Sequence, residues 1–123
     1  MQELNTYVLT EKKSKFIAYI YAVNSENEVQ EILASTKKEY KDAKHIVYAY
    51  RLLENGQIKA KYTDNKEPQG TAGRPILYLL EQKNLTNILA IVVRYFGGTL
   101  LGKGGLVRAY SNSVKNAIEG ANL

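Results

Sequence analysis

The segment with the most chemical potential is Arg94-Tyr95-Phe96-Gly97-Gly98-Thr99-Leu100-Leu101-Gly102-Lys103-Gly104-Gly105-Leu106-Val107-Arg108. It follows an apolar run and precedes an amphipathic one, the strand-to-helix setting that phosphate-binding loops require. Gly97, then Gly102-Lys103 after four intervening residues, reproduces the start of such a loop, yet Gly104 stands where a magnesium-holding Ser or Thr is needed. No aspartate closes another apolar strand as second magnesium ligand, so nucleotide hydrolysis is not indicated. A dinucleotide fingerprint fails too, because Val107 occupies the position of its third glycine. What survives is a set of backbone amides at a helix start beside cationic side chains, an arrangement that holds anions. The candidate anion or nucleic-acid site therefore comprises Arg74, Arg94, Gly97, Gly98, Gly102, Lys103, Gly104, Gly105 and Arg108. The competing account gives the glycines to sharp turns and close helix-on-sheet packing.

Other reactive residues are sparse. Asp64 and Glu67 sit three apart in a loop, where two carboxylates can bind a cation or exchange protons, but such residues more often shape turns. His45 is the single histidine, opens a strand, and has no neighbouring acid pair, so it reads as a core-edge or surface residue. Ser111 and Ser113 lack a glycine elbow, which argues against a hydrolase of that design. Ten of the twelve aromatic residues are tyrosines. Tyr48, Tyr50 and Tyr62 fall on expected strands, where rings either stack on bases or pack half-buried. No catalytic residue, metal or cofactor is expected.

These residues need a scaffold, and 123 residues suffice for one domain. Thr6–Thr10 and Phe16–Val23 read as strands joined by the polar turn Glu11-Lys12-Lys13-Ser14. Ser25 with Glu28 has capping-box spacing, and Val29, Ile32, Leu33, Thr36 and Tyr40 then recur at helical intervals. His45–Leu53 and Ile58–Thr63 flank Asn55-Gly56, a tight-hairpin signal. The loop Asp64–Gly73 leads to a helix opened by Arg74-Pro75, with Ile76, Leu77, Leu79 and Leu80 facing inward. Asn87–Phe96 is apolar on both faces and so belongs at the centre of a sheet. A last helix turns Leu106, Val107, Tyr110, Val114, Ala117 and Ile118 to the core. The expected class is α+β: a two-layer sandwich, a mixed sheet with helices on one face.

Charge and composition narrow the setting. The net charge is +5. Lys83, Arg94, Lys103, Arg108 and Lys115 lie between Glu81 and Glu119 with no acid among them, a stretch that attracts anions or simply aids solubility. The aliphatic run Ile88–Val93 is six residues long, against about 20 for a membrane span. No secretory leader opens the chain and no cysteine occurs, so a cytoplasmic location is expected.

Several blocks together carry a family resemblance: Glu67-Pro68-Gln69-Gly70-Thr71-Ala72-Gly73-Arg74-Pro75-Ile76, Leu85-Thr86-Asn87, Arg94–Gly98, Leu101–Tyr110, Lys12–Ala18 and His45–Arg51. In these the whole chain closely resembles the YigZ/IMPACT family. It departs at Asp64-Asn65-Lys66, where relatives often have two acids and a glycine, which weakens an acidic role for that loop. The resemblance implies a fold like the second domain of ribosomal protein S5, also seen in a late domain of elongation factor G. It implies that residues 1–123 form the family's N-terminal domain, the C-terminal ferredoxin-like domain being absent from this chain. For eukaryotic members it implies action by protein contact, in competition for a ribosome-associated activator of a stress kinase. For bacterial members it implies contact with nucleic acid or the translation machinery.

The expected function is thus a non-enzymatic, translation-linked binding module whose partner is RNA, the ribosome or a translation-associated protein. The rivals are a phosphate-ester or nucleotide-binding enzyme of the same fold superfamily and an adaptor that binds only protein. No membrane partner is expected.

Overall fold

The computed structural model describes residues 2–123. In chain order the elements are β1 (Gln2–Glu11), β2 (Ser14–Ala22), α1 (Glu26–Glu39), β3 (His45–Glu54), β4 (Gln57–Thr63), α2 (Gly73–Gln82), β5 (Ile88–Tyr95) and α3 (Gly102–Gly120). The α+β class stands. The five strands form one sheet in the order β1-β2-β5-β3-β4, so the run that is apolar on both faces does lie at its centre.

Two hairpins flank that central strand. Lys12 and Lys13 both take left-handed φ angles, 47° and 68°, as do Asn55 and Gly56 at 51° and 78°. Paired positive φ values are what a two-residue hairpin turn demands, and Asn-Gly meets the demand cheaply while Lys-Lys does not. β5 then pairs antiparallel with β2 on one side and β3 on the other. Every ladder in the sheet is antiparallel, where a mixed sheet was expected.

The faces of the sheet explain the second departure. Phe16, Ala18, Ile20, Val47, Ala49, Ala90 and Val92 point to one side, where α2 and α3 cover them with Ile76, Leu80, Tyr110, Val114 and Ile118. Ile17, Tyr50, Leu52, Leu89, Ile91 and Val93 point to the other, where α1 adds Val29, Ile32 and Leu33. The helices therefore occupy both faces, not one. The cause is in β2 and β5: both are apolar at consecutive positions, so each sheet face must be taken out of water.

Local signals hold at finer grain. Ser25 caps α1, its Oγ accepting from Glu28 N–H at 3.2 Å, while Glu28 Oε1 accepts from Asn24 N–H at 2.8 Å. In α2 only Ile76 and Leu80 of the expected stripe are fully buried, and in α3 Val107 is half-buried.

Candidate functional site

The site lies where β5 leaves the sheet. Arg94 faces His45 across the β3 ladder and Phe16 across the β2 ladder, all three on the side covered by α3. The loop between β4 and α2 closes over this row. Asp64 pins that loop: its carboxylate accepts the backbone N–H groups of Gly70, Ala72 and Gly73 at 2.9, 3.1 and 2.9 Å. The turn-shaping role expected of Asp64 is the one it plays, and it turns Glu67 inward.

Glu67 is 8% exposed and sits among donors. Its Oε2 accepts from Arg94 Nη1 at 2.6 Å and from the Tyr110 hydroxyl. His45 Nε2 lies 3.4 Å from Oε1, and His45 Nδ1 lies 2.7 Å from the Asn65 carbonyl oxygen. Arg94 Nη2 and Gly97 N–H both donate to Ser14 Oγ at 3.2 Å. The guanidinium also rests 5.3 Å from the Phe16 ring and 5.7 Å from the Phe96 ring. Burial, and then donation to Glu67, raise the Tyr110 pKa well above its ordinary value, so its phenol remains a donor.

Above this network opens a cleft of about 400 Å³, lined by Lys44, His45, Glu67, Pro68, Arg94, Phe96, Leu100, Leu101, Gly102, Lys103 and Leu106. The walls are mostly apolar. Lys44 and Lys103 are exposed, and the Glu67–Arg94 pair is neutral, so the cleft carries a net positive charge. Leu101, the N-cap of α3, offers no side-chain oxygen to the first-turn amides, and no acid lies in that turn. Those amides add partial positive charge at the same place.

The expected anion site is thus divided by the fold. Gly102 and Lys103 line this cleft. Gly105 and Arg108 line a second hollow beyond Leu101, with Glu11 and Lys12. Arg94 also lines this cleft, from a buried position, 4% exposed and paired with Glu67. Gly97 spends its N–H on Ser14. Gly98 and Gly104 are exposed without lining either hollow, and Arg74 is exposed at the second position of α2. The packing account also holds for part of the turn. A Cβ on Gly97 would meet the Lys13 carbonyl carbon at 2.1 Å, whereas one on Gly104 would meet only the tip of Arg108 at 3.3 Å.

His45 and Glu67 take up more than the core-edge and turn-shaping roles expected of them, since their side chains face each other in the network. They stand 22 positions apart in sequence and meet because β4 returns along β3 and the loop after it folds over the start of β3, where Asn65 binds His45 and Ile46.

The sequence and the fold are similar to those of known proteins. Residues 12–118 match the Impact N-terminal domain. The chain belongs to this family. It is 41% identical over 118 residues to the IMPACT family member YvyE of Bacillus subtilis (strain 168), covering 96% of this chain and 54% of that one. A crystal structure of a hypothetical protein superposes with a TM-score of 0.88 at 36% identity, covering 94% of this chain and 56% of its own. The two-domain translational regulator Yih1 shares the fold, with a TM-score of 0.62 at 23% identity over 97% of this chain and 46% of that one. The chain thus spans about half the length of each of these three proteins. Among the described residues no helix is long and apolar enough to cross a membrane.

Proposed function

We infer that this Impact N-terminal domain is a non-enzymatic binding module in translation-linked regulation, and that its partner is RNA, reached on the ribosome or free. The observation that carries the reading is the start of α3. Lys103 and Arg108 stand exposed there, Lys12 joins Arg108 at the second hollow, and no acid occurs from residue 82 to residue 118. Phosphate contacts of this kind draw affinity from counterion release. The translational role assigned to Yih1, a protein of the same fold, is consistent with it.

The test is the salt dependence of binding to single-stranded RNA oligonucleotides of unrelated sequence. Replacing both Lys103 and Arg108 by Gln should weaken all of them alike, because backbone contacts carry no sequence information. The log-log salt slope should become shallower by about 1.4 if each side chain neutralises one phosphate of a single strand. An unchanged slope removes the RNA reading. Capture of ribosomal proteins that survives ribonuclease would assign the domain to protein contact instead.

One observation favours phosphate-ester chemistry as a second reading: an imidazole and a carboxylate face each other on the floor of a positive cleft. Hydrolysis of p-nitrophenyl phosphate that disappears in His45→Ala would establish it.

A further inference from the structure

We propose that the cleft beside α3 is a binding site for a small phosphate monoester with an apolar, ring-sized body. The inference goes beyond the RNA reading, since it concerns the groove between Lys44, Phe96 and Leu100 and stands whether or not the domain binds RNA.

Three features converge on that ligand. The volume of about 400 Å³ falls within the range of pockets that enclose small organic molecules, roughly 300–1,000 Å³. Pro68, Phe96, Leu100, Leu101 and Leu106 make its walls apolar. Leu100 is 81% exposed and Phe96 44% exposed on those walls. Large apolar side chains left in water beside a cleft are informative in a way that a scattered surface leucine is not. An apolar body laid between them removes that surface from water.

The polar end is equally defined. Lys44 and Lys103 both line the cleft, one just before β3 and one in the first turn of α3. Two ammonium groups match the double charge of an ionised phosphate monoester, and the uncapped α3 amides supply directed donors for its oxygens. Below them Arg94, more than nine-tenths buried, lines the floor with its Nε lacking a hydrogen-bond partner among the described residues. Glu67 does not oppose the phosphate as a free charge, because Arg94 and Tyr110 already hold its Oε2.

The test uses the chain as it stands and three probes at pH 8: phenyl phosphate, inorganic phosphate and benzyl alcohol. Backbone amide spectra should shift with phenyl phosphate at Gly102, Lys103 and Gly104 and around Phe96–Leu101. Phenyl phosphate should bind at least about tenfold more tightly than either fragment, the least that separates joint recognition from one-ended binding. Lys44→Gln and Leu100→Ser should each weaken phenyl phosphate by about threefold or more while leaving RNA affinity and salt slope unaltered, since neither side chain belongs to the α3 cation set. Inorganic phosphate binding as well as phenyl phosphate, benzyl alcohol doing so, or phenyl phosphate shifts scattered away from the cleft would each overturn the proposal. The comparison of probes is made on the unaltered chain, so it does not depend on either variant folding. RNA binding that fails while phenyl phosphate still occupies the cleft sinks only the preceding reading.

Discussion

Glu67 and Arg94 form a buried pair whose value depends on both partners remaining. Removing water from two charges is costly, and their attraction together with the bonds from Tyr110 and to Ser14 offsets that cost. Glu67→Gln leaves the guanidinium uncompensated and should cost about 3–5 kcal/mol in urea unfolding. Replacing the pair together by Leu and Met should cost less than the two single changes added, because no lone charge is then left in the core. The glycines separate in the same experiment. Gly97→Ala drives a Cβ into the Lys13 backbone and should destabilise severely, whereas Gly104→Ala sits in a helix with room and should raise stability by up to about 1 kcal/mol. Reading the sequence alone made these glycines equivalent. Their spacing is visible there, but the close approach of the Lys12-Lys13 turn to Gly97 is a tertiary fact. The same limit hid the ionic network: Asp64 and Glu67 look alike in a loop, and only the folded loop sends one to the α2 amides and the other to the core.

The elements were more legible than the site, for reasons of period. The stripe of Val29, Ile32, Leu33 and Thr36 marks α1, and Asn55-Gly56 marks its hairpin. The sense of the ladders was not written in any one strand, because an apolar strand suits a central position in either kind of sheet. Nor does an amphipathic helix say which face of a sheet it will cover. Ile91 lies between Tyr19 on β2 and Tyr48 on β3 and is fully buried. Ile91→Ala should therefore cost about 2–5 kcal/mol, read as a lowered thermal midpoint. Near the start of α1, Glu26 Oε1 accepts from Lys59 Nζ and from the Tyr50 hydroxyl, each at 2.9 Å. The bond from Lys59 first, then that from Tyr50, holds the Glu26 carboxyl below its ordinary value of 4.5. A carboxyl with a lowered folded pKa stabilises above its unfolded value and loses that contribution as pH falls through the folded one. The stability gap between the unaltered chain and Glu26→Gln should accordingly be constant near neutrality and shrink as pH drops below 4.5. Chemical unfolding followed across that range checks it, and a gap that widens in acid would contradict the assignment.

For the molecule as a whole, net charge +5 and a basic α3 start predict association that weakens steadily as salt is added. A partner held by the apolar walls of the cleft would be far less sensitive. Comparing a given partner at low and high ionic strength therefore reports whether charge or apolar contact holds it. The strand order also sets a timetable for synthesis. β1 with β2 and β3 with β4 are neighbours in sequence and can close as soon as they emerge, but β5, which must lie between the hairpins, is the last strand made. Until Tyr95 leaves the ribosome, β2 and β3 each present an open inner edge, the condition under which nascent chains join to the wrong neighbour. A chain halted after Gln82 should hold two local hairpins without cooperative protection of either, and releasing the rest of the chain through α3 (about forty residues, roughly a few seconds of translation) should lock both at once. Pulsed hydrogen exchange on stalled chains would see that step as the simultaneous protection of amides in β2, β3 and β5.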